Sequence, residues 1–140
     1  MTVNFDTKTI RLITLFENST GAPVKDCLED EESNSIYFVI EEGKVGIAIG
    51  KNGFSVKKAE KILGKTIHLF EFSNDIATFI KNMIPQSTMV KVKNENGKTI
   101  VEIKVDKADR AVVIGRDGRN KMFYEKLLKR NHSVDELVIR

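Results

Sequence analysis

Two short runs carry the chemistry open to this sequence: Gly50-Lys51-Asn52-Gly53 and Gly115-Arg116-Asp117-Gly118. Each sets two glycines around a cation and stands just ahead of a stretch with helical patterning. A glycine has no Cβ, so a ligand's backbone can come close to the chain there. The first turn of the following helix offers N–H groups without intrahelical partners and the positive end of the dipole, both suited to a phosphate. Lys51 and Arg116 add mobile positive charge at that point. Ile47 and Ile49 before the first run, and Val112 and Ile114 before the second, are placed to wall a groove for bases. A lone Gly-x-x-Gly is more often a plain turn between helices. The preceding isoleucine, the internal cation, the following helix and the second copy make this pattern specific.

The elements that must position these runs are themselves repeated. Shifted by 65 positions, Ala48-Ile49-Gly50-Lys51-Asn52-Gly53 falls on Val113-Ile114-Gly115-Arg116-Asp117-Gly118, and Glu60-Lys61-Ile62-Leu63 on Glu125-Lys126-Leu127-Leu128. The apolar strand 36–40 falls on 101–105 in the same shift. A gap-free match of loop, helix and strand marks a duplicated module. In the first copy, Asp6 is the candidate N-cap of a helix with Ile10, Ile13 and Phe16 at helical spacing, ending near Gly21. Strands at 24–28 and 35–40 follow around the acidic tip Glu29-Asp30-Glu31-Glu32, then a short helix at 44–49, the loop, a helix at 55–63 stopped by Gly64, and a strand at 66–72. The second copy starts from the cap Ser73-Asn74-Asp75 and a helix with Ile76, Phe79, Ile80 and Met83 that stops at Pro85. Strands at 88–93 and 99–105 flank the hairpin signal Asn96-Gly97, and after helix, loop and helix the chain closes with a strand at 137–140. The expectation is an α+β fold of two modules, 1–73 and 74–140. Each runs α-β-β-α-α-β with a three-stranded sheet covered by helices, and a junction this short packs the two together.

Composition narrows the function. The net charge is +3, but residues 1–73 hold nine Lys+Arg against eleven Asp+Glu, whereas 74–140 hold fourteen against nine. The segment 44–65 has six lysines and one acid, and 107–130 has eight cations and three acids, so each loop lies in a window of about +5 that suits a polyanion. No apolar run approaches the roughly 20 residues of a membrane span, and the N-terminus lacks the pattern of a signal peptide, so a cytoplasmic protein away from membranes is expected. Cys27 stands alone, which leaves no disulfide or Cys-x-x-Cys metal clip. Gly46 to Asn52 is one residue short of a nucleotide-binding P-loop and has Asn52 where Ser or Thr is required. His68 and His132 have no ligating cluster at metal spacing, and the tip 29–32 lacks the spacing of a calcium loop. Neither catalysis, metal nor cofactor is expected. Among the aromatics, Phe70, Phe72, Phe123 and Tyr124 read as core, while Phe54, next to the first loop, is the one placed to stack on a base.

With these residues in view, the chain resembles the KH family of single-stranded nucleic-acid-binding domains, whose Gly-x-x-Gly loop clamps about four nucleotides of backbone. Ending after one strand beyond the helix pair is the order of the type II module. Over nearly its whole length, with Ile49 to Gly53, Ile114 to Asn120 and the closing His132-Ser133-Val134-Asp135-Glu136-Leu137-Val138-Ile139-Arg140, it is similar to the archaeal branch of the NusA family of transcription termination/antitermination factors. The resemblance implies a monomeric, non-enzymatic protein that binds single-stranded RNA across both modules in association with transcription, with RNA polymerase a further partner. Ribosome association is the rival expectation, since small-subunit ribosomal proteins also carry type II KH modules. The implied RNA-binding residues are Ile49, Gly50, Lys51, Asn52, Gly53, Phe54, Lys57 and Lys58 in the first module. In the second they are Ile114, Gly115, Arg116, Asp117, Gly118, Arg119, Asn120 and Lys121. One of them departs from the pattern: Asp117 sets a carboxylate beside the phosphate path, where it either repels the ligand or caps the next helix.

Overall fold

An aspartate opens the first helix in each half of the chain. Asp6 accepts from the Thr9 N–H at 2.7 Å and starts α1, Thr7–Thr20. Asp75 accepts from the Thr78 N–H at 3.0 Å and starts α4, Ile76–Met83. Gly21, in the left-handed conformation, ends α1, whereas α4 gives out just ahead of Pro85 after only eight residues. The computed structural model describes residues 6–140, and the chain divides between Ser73 and Asn74 into two compact units.

In the first unit, β1 (Val24–Asp30) pairs antiparallel with β2 (Ser35–Ile40), and β3 (Thr66–Glu71) runs parallel on the other side of β2. Two helices, α2 (Val45–Ile49) and α3 (Phe54–Leu63), bracket the glycine loop, and a left-handed Gly64 stops the second. Alternation along β2 turns Ile36, Phe38 and Ile40 toward a core shared with Phe16, Ala48, Ala59 and Ile67. Phe16 and Phe38 stack at 4.2 Å. Each fully buried side chain of this size contributes about 1.5–3 kcal/mol. Ala48 and Ala59 have no exposed surface, so the two helices beside the loop are held by positions with no room for a larger residue.

The second unit repeats the plan. The hairpin β4 (Ser87–Glu95) and β5 (Lys98–Val105) turns on Asn96 and Gly97, both at positive φ, and β6 (Glu136–Ile139) lies parallel to β5. The loop sits between α5 (Lys107–Ile114) and α6 (Arg119–His132). Val101, Ile103, Leu137, Val113, Leu127 and Leu128 are buried.

Both hairpins pair further toward their tips than the apolar pattern predicts. Asp30 pairs with Ser35, and its carboxylate accepts from the Ser33 N–H (3.2 Å) and Oγ (2.6 Å). Glu29 is ion-paired at 2.9 Å to both Lys8 and Lys65. The acidic tip is therefore partly a braced structural element.

The repeat also slips at one point. Ile36 pairs with Ile67 while Val101 pairs with Leu137, so a shift of 65 in the central strand becomes 70 in the last, accommodated by the longer α6. The junction across this slip is nonetheless identical. Glu60 of α3 accepts from the Ile67 N–H at 3.0 Å, and Glu125 of α6 accepts from the Leu137 N–H at 2.9 Å. Each carboxylate clasps its helix to the first core residue of the following strand.

Candidate nucleic-acid interface

The loop backbones explain which residues each position tolerates. Gly50 has φ 75° and ψ 174°, and Gly115 has φ 80° and ψ 171°, a region open essentially to glycine alone. A Cβ on Gly50 would stand 2.3 Å from Ser55 Oγ, and one on Gly115 would stand 2.7 Å from Asn120 Cγ. The first glycine is thus required by the protein's own turn, with or without a ligand. The second glycine is different. Gly53 and Gly118 are left-handed at φ 74° and 73°, yet a Cβ on Gly118 would meet nothing within 4 Å, and one on Gly53 only the end of Lys57. Open space lies over the second glycine, which is where a close-lying ligand backbone would need it.

Between them, Lys51–Gly53 and Arg116–Gly118 each form one 3-10 turn, closed by the second glycine's N–H donating to the first glycine's carbonyl at 3.1 Å. The third loop residue is also left-handed, Asn52 at φ 55° and Asp117 at φ 56°. Asn and Asp are the side chains that tolerate this best, a local signal carried by residue type that attention to charge alone misses. It accounts for Asp117. The N-cap position of α6 is Gly118 and no side chain caps the helix there, so Asp117 serves the turn and not the helix end.

Side chains then distinguish the two loops. In the first, Ile49 is 41% and Phe54 68% exposed, and Lys51, Asn52, Lys57 and Lys58 are exposed as well. Lys51, Asn52, Phe54, Lys57 and Lys58 line an open hollow of about 980 Å³, together with two residues outside the expected set, Ser55 and Lys61. Helical spacing of 54, 57, 58 and 61 on one face is the signal that finds Lys61. In the second loop Arg116 and Asp117 are exposed, and Ile114, Arg119, Asn120 and Lys121 are half-buried. Arg119 lies over the Phe123 ring at 5.9 Å, with Lys126 at 5.6 Å. The Asn120 amide donates to the Val112 carbonyl at 3.0 Å, bracing the loop from behind. Ile47 (46%) and Val112 (68%) present apolar surface before their loops.

No acid lines the first hollow. Among the described residues, no group of three or more His, Cys, Asp or Glu could hold a metal ion, and no helix is long and apolar enough to cross a membrane. Asp6 and Asp75, capping α1 and α4, are held below their ordinary pKa by hydrogen bonds from Thr9 and Thr78 respectively. The helices that leave the glycine loops have glycine at the N-cap and no acid in the first turn, Asp117 lying one residue ahead of the cap.

Two mixed sheets, each with a Gly-x-x-Gly turn between helices, define the KH class, and residues 11–81 match the family described as the KH domain. Over 122 residues the chain is 40% identical to the probable transcription termination protein NusA of Methanococcus vannielii, covering 86% of this chain and 69% of that protein. Those of Halococcus morrhuae (33% identical, 98% of each chain) and Methanocaldococcus jannaschii (34% identical, 98% of this chain and 75% of that one) carry the same name. The crystal structure of APE1850 superposes with a TM-score of 0.81 at 33% identity, covering 97% of this chain and 100% of that one. The chain belongs to the NusA family of KH-domain proteins, a non-enzymatic class.

Proposed function

We propose that this protein grips the sugar-phosphate backbone of single-stranded RNA with both glycine loops and acts through that grip as a transcription elongation and termination factor. The observation that carries the reading is the repeated loop geometry: open space over the second glycine, directly ahead of a helix start with no side-chain cap. A phosphate there would lie on the N-terminal turn of α3 or α6, with Lys51 or Arg116 alongside. Lys57 and Lys58 add positive potential on the first loop, and Arg119 and Lys121 on the second. Exposed apolar residues before each loop, Ile47 and Ile49 in one and Val112 in the other, offer bases a surface on that side. Membership of the NusA family supports an association of this binding with transcription.

The test is the double variant Lys51→Asp/Arg116→Asp, which changes only exposed side chains. Its affinity for a single-stranded RNA oligomer is expected to fall at least tenfold with unchanged circular dichroism. The slope of log affinity against log salt should shrink by about 0.7 for each phosphate that is no longer neutralised. In a reconstituted transcription assay the wild type should alter pausing or termination yield and the variant should not. A folded variant that binds RNA as the wild type does would overturn the reading.

A further inference from the structure

Among the described residues, Phe54 is the most exposed aromatic side chain beside a glycine loop, 68% exposed at the first position of α3. Its equivalent in the second unit is Arg119, so the phenyl ring is not something the turn requires. It fills no core and caps nothing. What surrounds it is positive: Lys57, Lys58 and Lys61 lie three, four and seven residues on, along the same exposed face of the helix, and Lys51 faces the same hollow. Lys57 folds back toward the loop, its Cε 3.6 Å and its Nζ 4.0 Å from where a Cβ on Gly53 would be. An exposed phenyl face within four ammonium groups, without a carboxylate in the lining, matches a flat aromatic group that carries phosphates. The hollow's volume of about 980 Å³ is at the upper end of small-ligand sites, which run from about 300 to 1,000 Å³.

We propose that Phe54 is a stacking platform for an unpaired nucleobase, on the outer lysine face of α3, giving the first loop a base contact that the second loop lacks. The inference rests on the RNA-binding reading above: the backbone held at the loop delivers the base, and Lys57, Lys58 and Lys61 hold the phosphates on either side of it. Such platforms tolerate any base, because every base has a π-face. The first unit would therefore contribute an affinity from base stacking that the second unit does not.

The chain contains no tryptophan, so Phe54→Trp installs a single reporter in the full-length protein. Titration with oligouridylate should quench its fluorescence, and an abasic ribose-phosphate oligomer of equal length should not. Phe54→Ala should weaken oligouridylate binding at least fivefold and leave the abasic oligomer bound as by the wild type. Phe54→Leu, which keeps apolar area without a ring, should behave like the alanine variant. Leucine binding as tightly as phenylalanine, or equal losses on both oligomers, would overturn the platform. So would equal quenching by oligoglutamate, which would point to an acidic protein segment. Unchanged oligouridylate binding by Phe54→Ala, with Lys51→Asp/Arg116→Asp still weakened, would remove the platform and leave the backbone grip standing. A wild type that binds neither oligomer would remove both.

Discussion

The two glycine loops have almost the same backbone and very different side chains. Gly50 and Gly115 differ by 5° in φ and 3° in ψ, and Asn52 and Asp117 by 1° in each. Around that shared turn stand Asn52 against Asp117, Phe54 against Arg119, Ser55 against Asn120, and Lys57 against Met122. The constraint lies in the turn and in the packing behind it. The turn dictates glycine first and a left-handed-tolerant residue third, and packing dictates Ala48 or Val113 behind it. The turn does not dictate the remaining side chains, and it is there that the loops diverge in charge and in aromatic surface.

Substitutions in the shared turn should have the largest effects. Alanine at Gly50 or Gly115 meets forbidden dihedrals, costing about 1–3 kcal/mol. Its Cβ also stands within 2.8 Å of backbone nitrogen in both loops, which adds about 1–3 kcal/mol of overpacking. Urea denaturation should show both variants strongly destabilised, and by similar amounts. Gly118→Ala has open space around its Cβ and should lose only about 1–2 kcal/mol, from the left-handed conformation alone. Equal stability for Gly115→Ala and Gly118→Ala would contradict the division of labour between the two glycines.

The next effect tests whether the units stay equivalent beyond the loop. Removing the clasp with Glu60→Ala leaves the Ile67 N–H without its acceptor, and Glu125→Ala does the same to Leu137. Each should cost about 1–3 kcal/mol. Glutamine keeps a carbonyl oxygen at the same reach and should recover part of the loss. If alanine and glutamine were equally destabilising, the hydrogen bond would not be what holds helix to strand.

A smaller effect sharpens the divergent part. Asn52→Asp and Asp117→Asn exchange the third loop residue between the units, and both side chains suit the left-handed turn, so stability should hold. A carboxylate at the start of a helix that receives a phosphate should cost affinity, and its removal should restore it. Asn52→Asp is expected to weaken RNA binding about two- to fivefold and Asp117→Asn to strengthen it by as much, from about 0.3–1 kcal/mol at a helix terminus. RNA titrations at low salt read this directly, and opposite signs in the two variants are the required outcome.

Most of the fold was legible because its signals are local. Asp6 and Asp75 as caps, Gly21 and Gly64 as stops, and Asn96-Gly97 as a hairpin turn each act within a few residues of themselves. Of the candidate site, the turn that the glycines make and the exposure of Lys51, Arg116 and Phe54 were legible in the same way. The role of Asp117 was not, because charge suggested a helix cap while the residue's φ decides its use. Asn120 read as a ligand contact; its amide's bond to the Val112 carbonyl, eight residues back across the loop, was not legible. The Glu60 and Glu125 clasps were equally hidden, since their partners lie seven and twelve residues ahead across a connection of variable length. The tip of the first hairpin was underestimated because the ion pairs that brace Glu29 come from Lys8 and Lys65, distant in sequence.

Acid titration gives the finest comparison, because the described residues of each unit include an aspartate cap and a glutamate paired to two cations. Burial works to raise the Glu29 pKa, but the pairs with Lys65 and Lys8 outweigh it and hold it below the ordinary carboxylate range. Glu102 is lowered chiefly by its hydrogen bond from Lys93, with Arg140 adding to it, and the caps Asp6 and Asp75 are lowered by their bonds from Thr9 and Thr78. A carboxylate whose folded pKa is depressed contributes stability that is present above its unfolded pKa and is lost as pH falls through the folded value. All four groups therefore withdraw support in one window, below about pH 4, and the two units should weaken together there. The two caps are exposed, so each of their effects is small. Urea midpoints taken between pH 6 and pH 3 should fall. Asp6→Asn and Asp75→Asn, which keep a capping oxygen without a titrating group, should each flatten that fall by a similar amount. A flattening confined to one of the two would mean that the caps, alike in geometry, are unequal in what they hold.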